Sequence, residues 1–416
     1  MVPKWGLFGY QMGRVWKPSG ECRMIRVLLA MLACQAAAAL AAFTLPVVAP
    51  AAARSLGIAA ELVGYYTTAM LVGAMIATMV TAGFVRRFGA LRVSQATLIF
   101  AGLGLGAMPL TFLPYMALPL LIISAVLIGF AYGPANPASS HLLSKVTPSH
   151  LRGRVFSIKQ TSVPIGGALG GFALPFLESH FGWQGAALCA AGLCLVLALV
   201  LQPWRKELDS DRTAHAPLIA GGLGSAIAIV FRQPGLRLLA AASGAFAAMQ
   251  FCYLSLFVTF AVDRTGLSLQ SVGTALSAGL VVSIGARMLW GWAADRFAPR
   301  YVLAGLGLGM AASAFTATVL GPAWPYAAVV ALAVGFGSSG TAWQGVYLAE
   351  VARNAPEGRV AEATSGCMAA TFLGGLMGPG IAAALTALTG SIAGGFLFMG
   401  MVTLGFGIAF LLPSKR

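Results

Sequence analysis

Apolar residues run along this chain in stretches of about 20, separated by short clusters of Gly, Pro and charged residues. The runs occupy 26–48, 61–84, 91–113, 115–140, 154–177 and 183–203, then 236–261, 268–293, 301–321, 324–350, 361–388 and 391–412. At about 1.5 Å of rise per residue, each can cross a hydrocarbon layer of about 30 Å. Backbone polar groups in lipid must be bonded within their own segment or in a closed barrel. Unbroken runs of this length, with no strict alternation, predict helices. The pattern predicts an all-α membrane protein with twelve transmembrane helices.

Composition agrees: 59% of the 416 residues are hydrophobic, 9% are charged, and there are 52 glycines. The net charge of +15 raises nucleic acid as a partner, and the placement of the charge removes it. With the amino terminus inside, the inner segments hold 22 of the 26 Lys and Arg, the outer loops hold Arg54 and Arg264, and the helices hold Lys159 and Arg287. That asymmetry is topological. It predicts an inner-membrane, multi-pass protein with both termini cytoplasmic. Residues 1–25 read as a cytoplasmic tail, with Met24 as an alternative start, 26–203 as one six-helix half, 204–235 as a central cytoplasmic loop, and 236–413 as the second half.

Catalysis finds little support. Five of the six cysteines (Cys34, Cys189, Cys194, Cys252, Cys367) fall singly in predicted helices, and the histidines (His141, His150, His180, His215) fall near loops without metal spacing. The two GLGLG stretches, 102–106 and 305–309, lie in apolar helices rather than in a strand-turn-helix context. Neither an enzyme nor a cofactor is expected.

The halves repeat. GF at 129 returns at 335, GR at 153 returns at 358, GGALG at 166 returns as GGLMG at 374, and RRF at 86 returns as DRF at 295, all at offsets of 205 to 209. Two six-helix halves joined by a polar loop suit rocking about a midplane site. The stretch GWAADRFAPR (291–300) resembles the signature of the major facilitator superfamily after helix 8: Gly291 first, then Asp295 and Arg296, then a basic residue, Arg300. The amino-terminal copy, GFVRRFGALR (83–92), has Arg86 and Arg87 where the pattern puts an acid and a base. The resemblance implies two pseudo-symmetric halves, a cavity lined by helices 1, 4, 7 and 10, helices 5 and 8 facing each other, and an inner gate fastened by the loop motif. Arg86 leaves the first copy without its acid.

Arg287 is the sharpest chemical signal. An arginine deep in a helix costs about 2.5–3.5 kcal/mol on insertion scales and cannot shed its proton. It lies eight residues before Asp295, roughly 12 Å into the membrane. Lys159 is the second cation, on helix 5. All eleven acids lie in loops, the tail or near helix ends, so the pair predicts an anion site with two cations facing one cavity. Gln35, Tyr132, Asn136, Gln160, Gln250, Tyr253, Gln344 and Tyr347 are polar helix residues at comparable depth that complete a candidate pocket. The spacing Arg287-x-x-x-Gly291 resembles that of the monocarboxylate and oxalate:formate antiporter branches, which implies a substrate carboxylate on Arg287.

The expected function is a secondary transporter that moves a small organic anion, a mono- or dicarboxylate, by alternating access. Its expected partners are that substrate, the lipid bilayer and a coupling proton or exchanged anion, and it is expected to be a monomer. A multidrug exporter of the same superfamily and a non-transporting membrane sensor are the alternatives.

Overall fold

The computed structural model describes residues 20–112, 115–148, 155, 158–213, 215, 218, 223–356 and 360–412. Among them there is no strand. The spans are α1 (Gly20–Leu56), α2 (Val63–Phe88), α3 (Ala90–Ala107), α4 (Ala117–Val146), α5 (162–181), α6 (183–200), α7 (Pro234–Thr265), α8 (Leu269–Arg296), α9 (Pro299–Thr318), α10 (Tyr326–Gly340 and Gln344–Asn354), α11 (Val360–Thr389) and α12 (Ala393–Leu411). Eleven apolar segments among the described residues are long enough to cross a membrane. The one that starts at Ser162 holds two spans, because Gly182 (φ +70°, ψ +170°) breaks the helix there.

Three boundaries differ from expectation. The tenth run is broken, since residues 341–343 are not helical. The fifth run is interrupted by a turn at 160–161: residues 155, 158 and 159 are helical, Lys159 directly precedes the turn, and the long helix resumes at Ser162. The central loop contains a ten-residue helix, Leu223–Arg232, that packs against α7 and α11 with Ile229 and Val230 buried. Both copies of the GR repeat, 153–154 and 358–359, and residues 1–19 lie outside the described residues.

The duplication reappears in the packing. A Cβ on Gly166 of α5 would lie 2.2 Å from the Ala36 carbonyl oxygen of α1, and one on Gly374 of α11 would lie 1.9 Å from that of Gly244 of α7. Both partners are displaced by 208 residues. The α2–α4 contact of Gly129 with the Met70 carbonyl, 2.1 Å, is likewise repeated between α8 and α10 by Gly337 and the Gly279 carbonyl, 2.0 Å. Glycine lets two backbones touch where lipid gives no hydrophobic reason to associate.

Between halves, α2 meets α11 and α5 meets α8. Thr68 Oγ1 donates to the Leu376 carbonyl at 3.0 Å, Ser277 Oγ donates to that of Ala168 at 2.8 Å, and Gly273 abuts Gly171. These contacts lie away from the helix ends that carry Arg86, Arg87, Lys145 and Arg296.

The segment 204–213 is fastened to the first half. Glu207 pairs with Arg23 (2.9 Å) and Arg26 (3.4 Å) of α1, and Asp211 pairs with His141 and Lys145 of α4, both at 2.9 Å. Between them, buried Asp209 accepts the backbone N–H groups of Leu91 (2.8 Å) and Arg92 (3.0 Å) in the first turn of α3. Those donors have no partner within the helix, and the helix N-terminus favours an anion. Gly89, at φ +98°, makes room: a Cβ there would sit 2.1 Å from the Asp209 carboxyl carbon.

Candidate functional site

The break in α10 creates the site. A helix that stops leaves its last carbonyls without N–H partners, and such irregular backbone persists in a membrane only where protein or a cavity surrounds it. Here α8 supplies the donors. Arg287 Nη2 donates to the Thr341 carbonyl at 2.7 Å, and Trp290 Nε1 donates to that of Ser338, also at 2.7 Å. The arginine is therefore held by backbone dipole, with no carboxylate in the bond.

Beside it lies a cavity of about 170 Å³. It is lined by Gln35 of α1, Tyr132 and Asn136 of α4, Gln160 before α5, Gln250 of α7, Arg287 of α8, and Gln344 and Tyr347 of α10. Eight of the ten residues singled out from the sequence thus meet at one place, contributed by both halves. Among the described lining residues Arg287 alone carries a full charge. Phe251, Trp343, Met368 and Phe372 add apolar walls; the first and last two gave no signal in the sequence, because an aromatic or Met in an apolar helix looks like any packing residue. Larger hollows of about 340 Å³ and 480 Å³ near α1–α4 are walled mostly by aliphatic and aromatic side chains and gather no comparable polar set.

Two of the ten do not line the cavity. Lys159 is fully enclosed: its Nζ donates to the backbone oxygen of Asn136 (3.2 Å), to the Asn136 side-chain oxygen and to Ser140 Oγ (3.3 Å). The expected pair of cations facing one cavity is corrected to one, since α4 supplies enough acceptors to keep the ammonium to itself. Tyr253 is also fully buried, stacked 4.8 Å from the Phe336 ring, with its hydroxyl donating to the Ala333 carbonyl at 3.2 Å. It is a packing residue between α7 and α10.

Trp343 Nε1 donates to Gln250 Oε1 at 3.0 Å, and Trp343 meets Tyr347 edge to face, 5.3 Å between ring centres. Three enclosed polar atoms of cavity-lining residues, Gln35 Oε1, Arg287 Nε and the Tyr347 hydroxyl, have no hydrogen-bond partner. Such atoms carry a desolvation cost until something pairs with them.

The expected gate residues are dispersed. Arg86 offers its backbone oxygen to the Thr213 N–H (2.7 Å), and the guanidinium of Arg87 lies over Phe88 (5.6 Å). Gly291 faces open space, and Asp295 is the penultimate residue of α8, with a side chain outside the described set. Arg296 stacks on Trp292 at 5.6 Å, whereas Arg300 donates to the carbonyls of Phe410 (3.1 Å) and Leu412. Arg300 therefore ties α9 to α12 within one half rather than fastening one half to the other.

A family model described as Major Facilitator Superfamily matches residues 31–351, three quarters of the chain. The chain belongs to the major facilitator superfamily. Among curated members, a hexuronate transporter of Bacillus subtilis is 25% identical over 190 residues, covering 45% of this chain and 44% of that one. The 4-hydroxybenzoate transporter PcaK of Pseudomonas putida is 29% identical over 161 residues (38% and 35%). The multidrug efflux pump Tap of Mycolicibacterium fortuitum is 28% identical over 148 residues (35% and 35%). The chain spans less than half the length of each of these relatives. Two solved structures share the fold at low identity. A POT family transporter in complex with 5-aminolevulinic acid has a TM-score of 0.73 and 14% identity, covering 94% and 95% of the two chains. A nucleoside transporter, NupG, has 0.73 and 11%, covering 92% and 99%. The protein is a multi-pass membrane protein of this superfamily.

Proposed function

We propose that this transporter carries a small organic anion, a hydroxylated mono- or dicarboxylate, by alternating access across the inner membrane, with both termini cytoplasmic. The observation that carries the reading is Arg287: a permanent cation on the wall of a cavity shared by both halves, with no acid among the described lining residues. A carboxylate can take charge-assisted bonds from its free guanidinium N–H groups. Gln35 Oε1, enclosed and without a donor, favours a cargo that also brings a hydroxyl. The cargoes named for two relatives, a hexuronate and 4-hydroxybenzoate, are small carboxylates.

The efflux-pump relative keeps a drug exporter in view. Size weighs against it: about 170 Å³ falls below the range of roughly 300–1,000 Å³ typical of sites for drug-sized ligands. The test is a thermal-shift panel on purified protein with formate, acetate, malonate, benzoate, 4-hydroxybenzoate and glucuronate, followed by uptake in proteoliposomes. A ligand that binds only the folded state raises the melting temperature. At least one carboxylate should stabilise the native protein and enter vesicles, and Arg287→Ala should abolish both while membrane expression is kept. Stabilisation by hydrophobic cations alone, or uptake that survives Arg287→Ala, overturns the reading.

A further inference from the structure

Two of the cavity's side-chain amides have their orientation decided from behind. An Asn or Gln amide presents a carbonyl acceptor at one end and an NH₂ donor at the other, so the partner at one end fixes what the other end offers. Behind Asn136 stands the ammonium of Lys159, and behind Gln250 stands the indole N–H of Trp343, 3.0 Å away. An ammonium and an indole N–H can only donate, so the end that faces each of them has to be the oxygen. Both Asn136 and Gln250 line the cavity, and both are left with NH₂ as the free end.

We infer that Lys159 and Trp343 are positioning residues that lock Asn136 and Gln250 into a donor array around the cargo's carboxylate, completing with Arg287 a site selective for anions. This rests on the anion reading of the same cavity. It assigns the enclosed lysine a task that needs no contact with the cargo. Lys159 acts through Asn136, on the half opposite Arg287, while Trp343 acts through Gln250 from the break in α10. A carboxylate would then be held by one full charge and two oriented dipoles, drawn from α4, α7 and α8. Neither amide could turn to offer an acceptor to a cation or to an uncharged hydrogen-bond donor without stranding a buried donor behind it. The array therefore rejects cationic cargoes as well as binding anions, which is how discrimination is built when attraction alone is insufficient.

Isosteric acids separate this from simple packing. Gln250→Glu keeps an oxygen for Trp343 and Asn136→Asp keeps one for Lys159, so a purely structural role predicts no change in either variant. The inference predicts that both lose the donor and place negative charge beside the cargo. KM for each carboxylate of the panel that stabilises the native protein should rise by about tenfold or more, with smaller changes in kcat. Trp343→Phe and Lys159→Met, which free the amides to turn, should raise the same KM by about threefold to tenfold and narrow the preference for benzoate over benzamide. Melting temperatures of the unliganded variants control for folding. If Arg287→Ala abolishes carboxylate binding but Gln250→Glu and Asn136→Asp both keep KM within twofold, the donor array is overturned and the anion reading stands. If no carboxylate of the panel stabilises the native protein, both fall together.

Discussion

Arg287 shows how an intramembrane cation can be kept without a neighbouring acid. The carbonyl of Thr341, freed by the end of a helix piece, satisfies one side of the guanidinium, and the rest remains for a cargo. This makes the break in α10 as functional as the arginine. Replacing Arg287 by Lys should retain the charge yet lose the fixed reach to Thr341, so binding should weaken by at least about tenfold, read by titration of the stabilising carboxylate in a thermal shift. At this scale the sequence was informative wherever burial is expensive. Arg287 and the polar residues of α1, α4, α7 and α10 stand out against apolar neighbours, and eight of the ten candidates meet in the cavity. Lys159 and Tyr253 stood out equally, but a helix position does not say which neighbour supplies an acceptor. Asn136 and Ala333 do so here.

Among the elements, the α2–α3 turn carries the plainest substitution of one device for another. Its family motif has Arg86 in the place of the acid, yet the first turn of α3 still receives a carboxylate, from Asp209 in the central loop. Asp209→Ala leaves two N–H groups of that turn without their acceptor. It should destabilise the protein by about 1–2 kcal/mol, measured by thermal or denaturant unfolding in detergent. Glycine contacts between helices are the other element-scale constraint. Gly374→Val should prevent the close approach of α11 to α7, because even a Cβ would sit 1.9 Å from the Gly244 oxygen, and folded yield should fall sharply. The helices themselves were legible because membrane thickness sets their length. The break in α10 was not, since Thr341, Ala342 and Trp343 include neither proline nor glycine. Nor was the partner of α3, because Asp209 lies 118 residues from Leu91 and no local pattern links them.

For the whole molecule, the hydrogen bonds that join the halves at α2–α11 and α5–α8 lie toward the end remote from the basic loops, and α1 also packs on α7. The other end is stitched within a half, by the acids of segment 204–213. Burial alone would raise the Asp211 carboxyl, but hydrogen bonds from His141 and Lys145 outweigh it and hold its pKa at about 2. An unfolded aspartate titrates near 3.9, so the folded form binds its proton less readily. The contribution is present above about pH 4 and is lost as pH falls towards 2, and an Asp211→Asn variant should flatten that part of the melting-temperature profile. Burial moves Asp209 the other way, upward, so its protonation sets in first on acidification. The stitching also makes the polypeptide divisible. Every acid of 204–213 bonds back to α1, α3 or α4, whereas the helix Leu223–Arg232 packs onto α7 and α11, so the last link to each half travels with that half. Leu218, whose carbonyl abuts Gly83 of α2, belongs with the first half, so a gene cut after Leu218 should yield two fragments that each keep their own fastenings, find one another through the glycine seams of α2–α11 and α5–α8, and recover transport only when produced together.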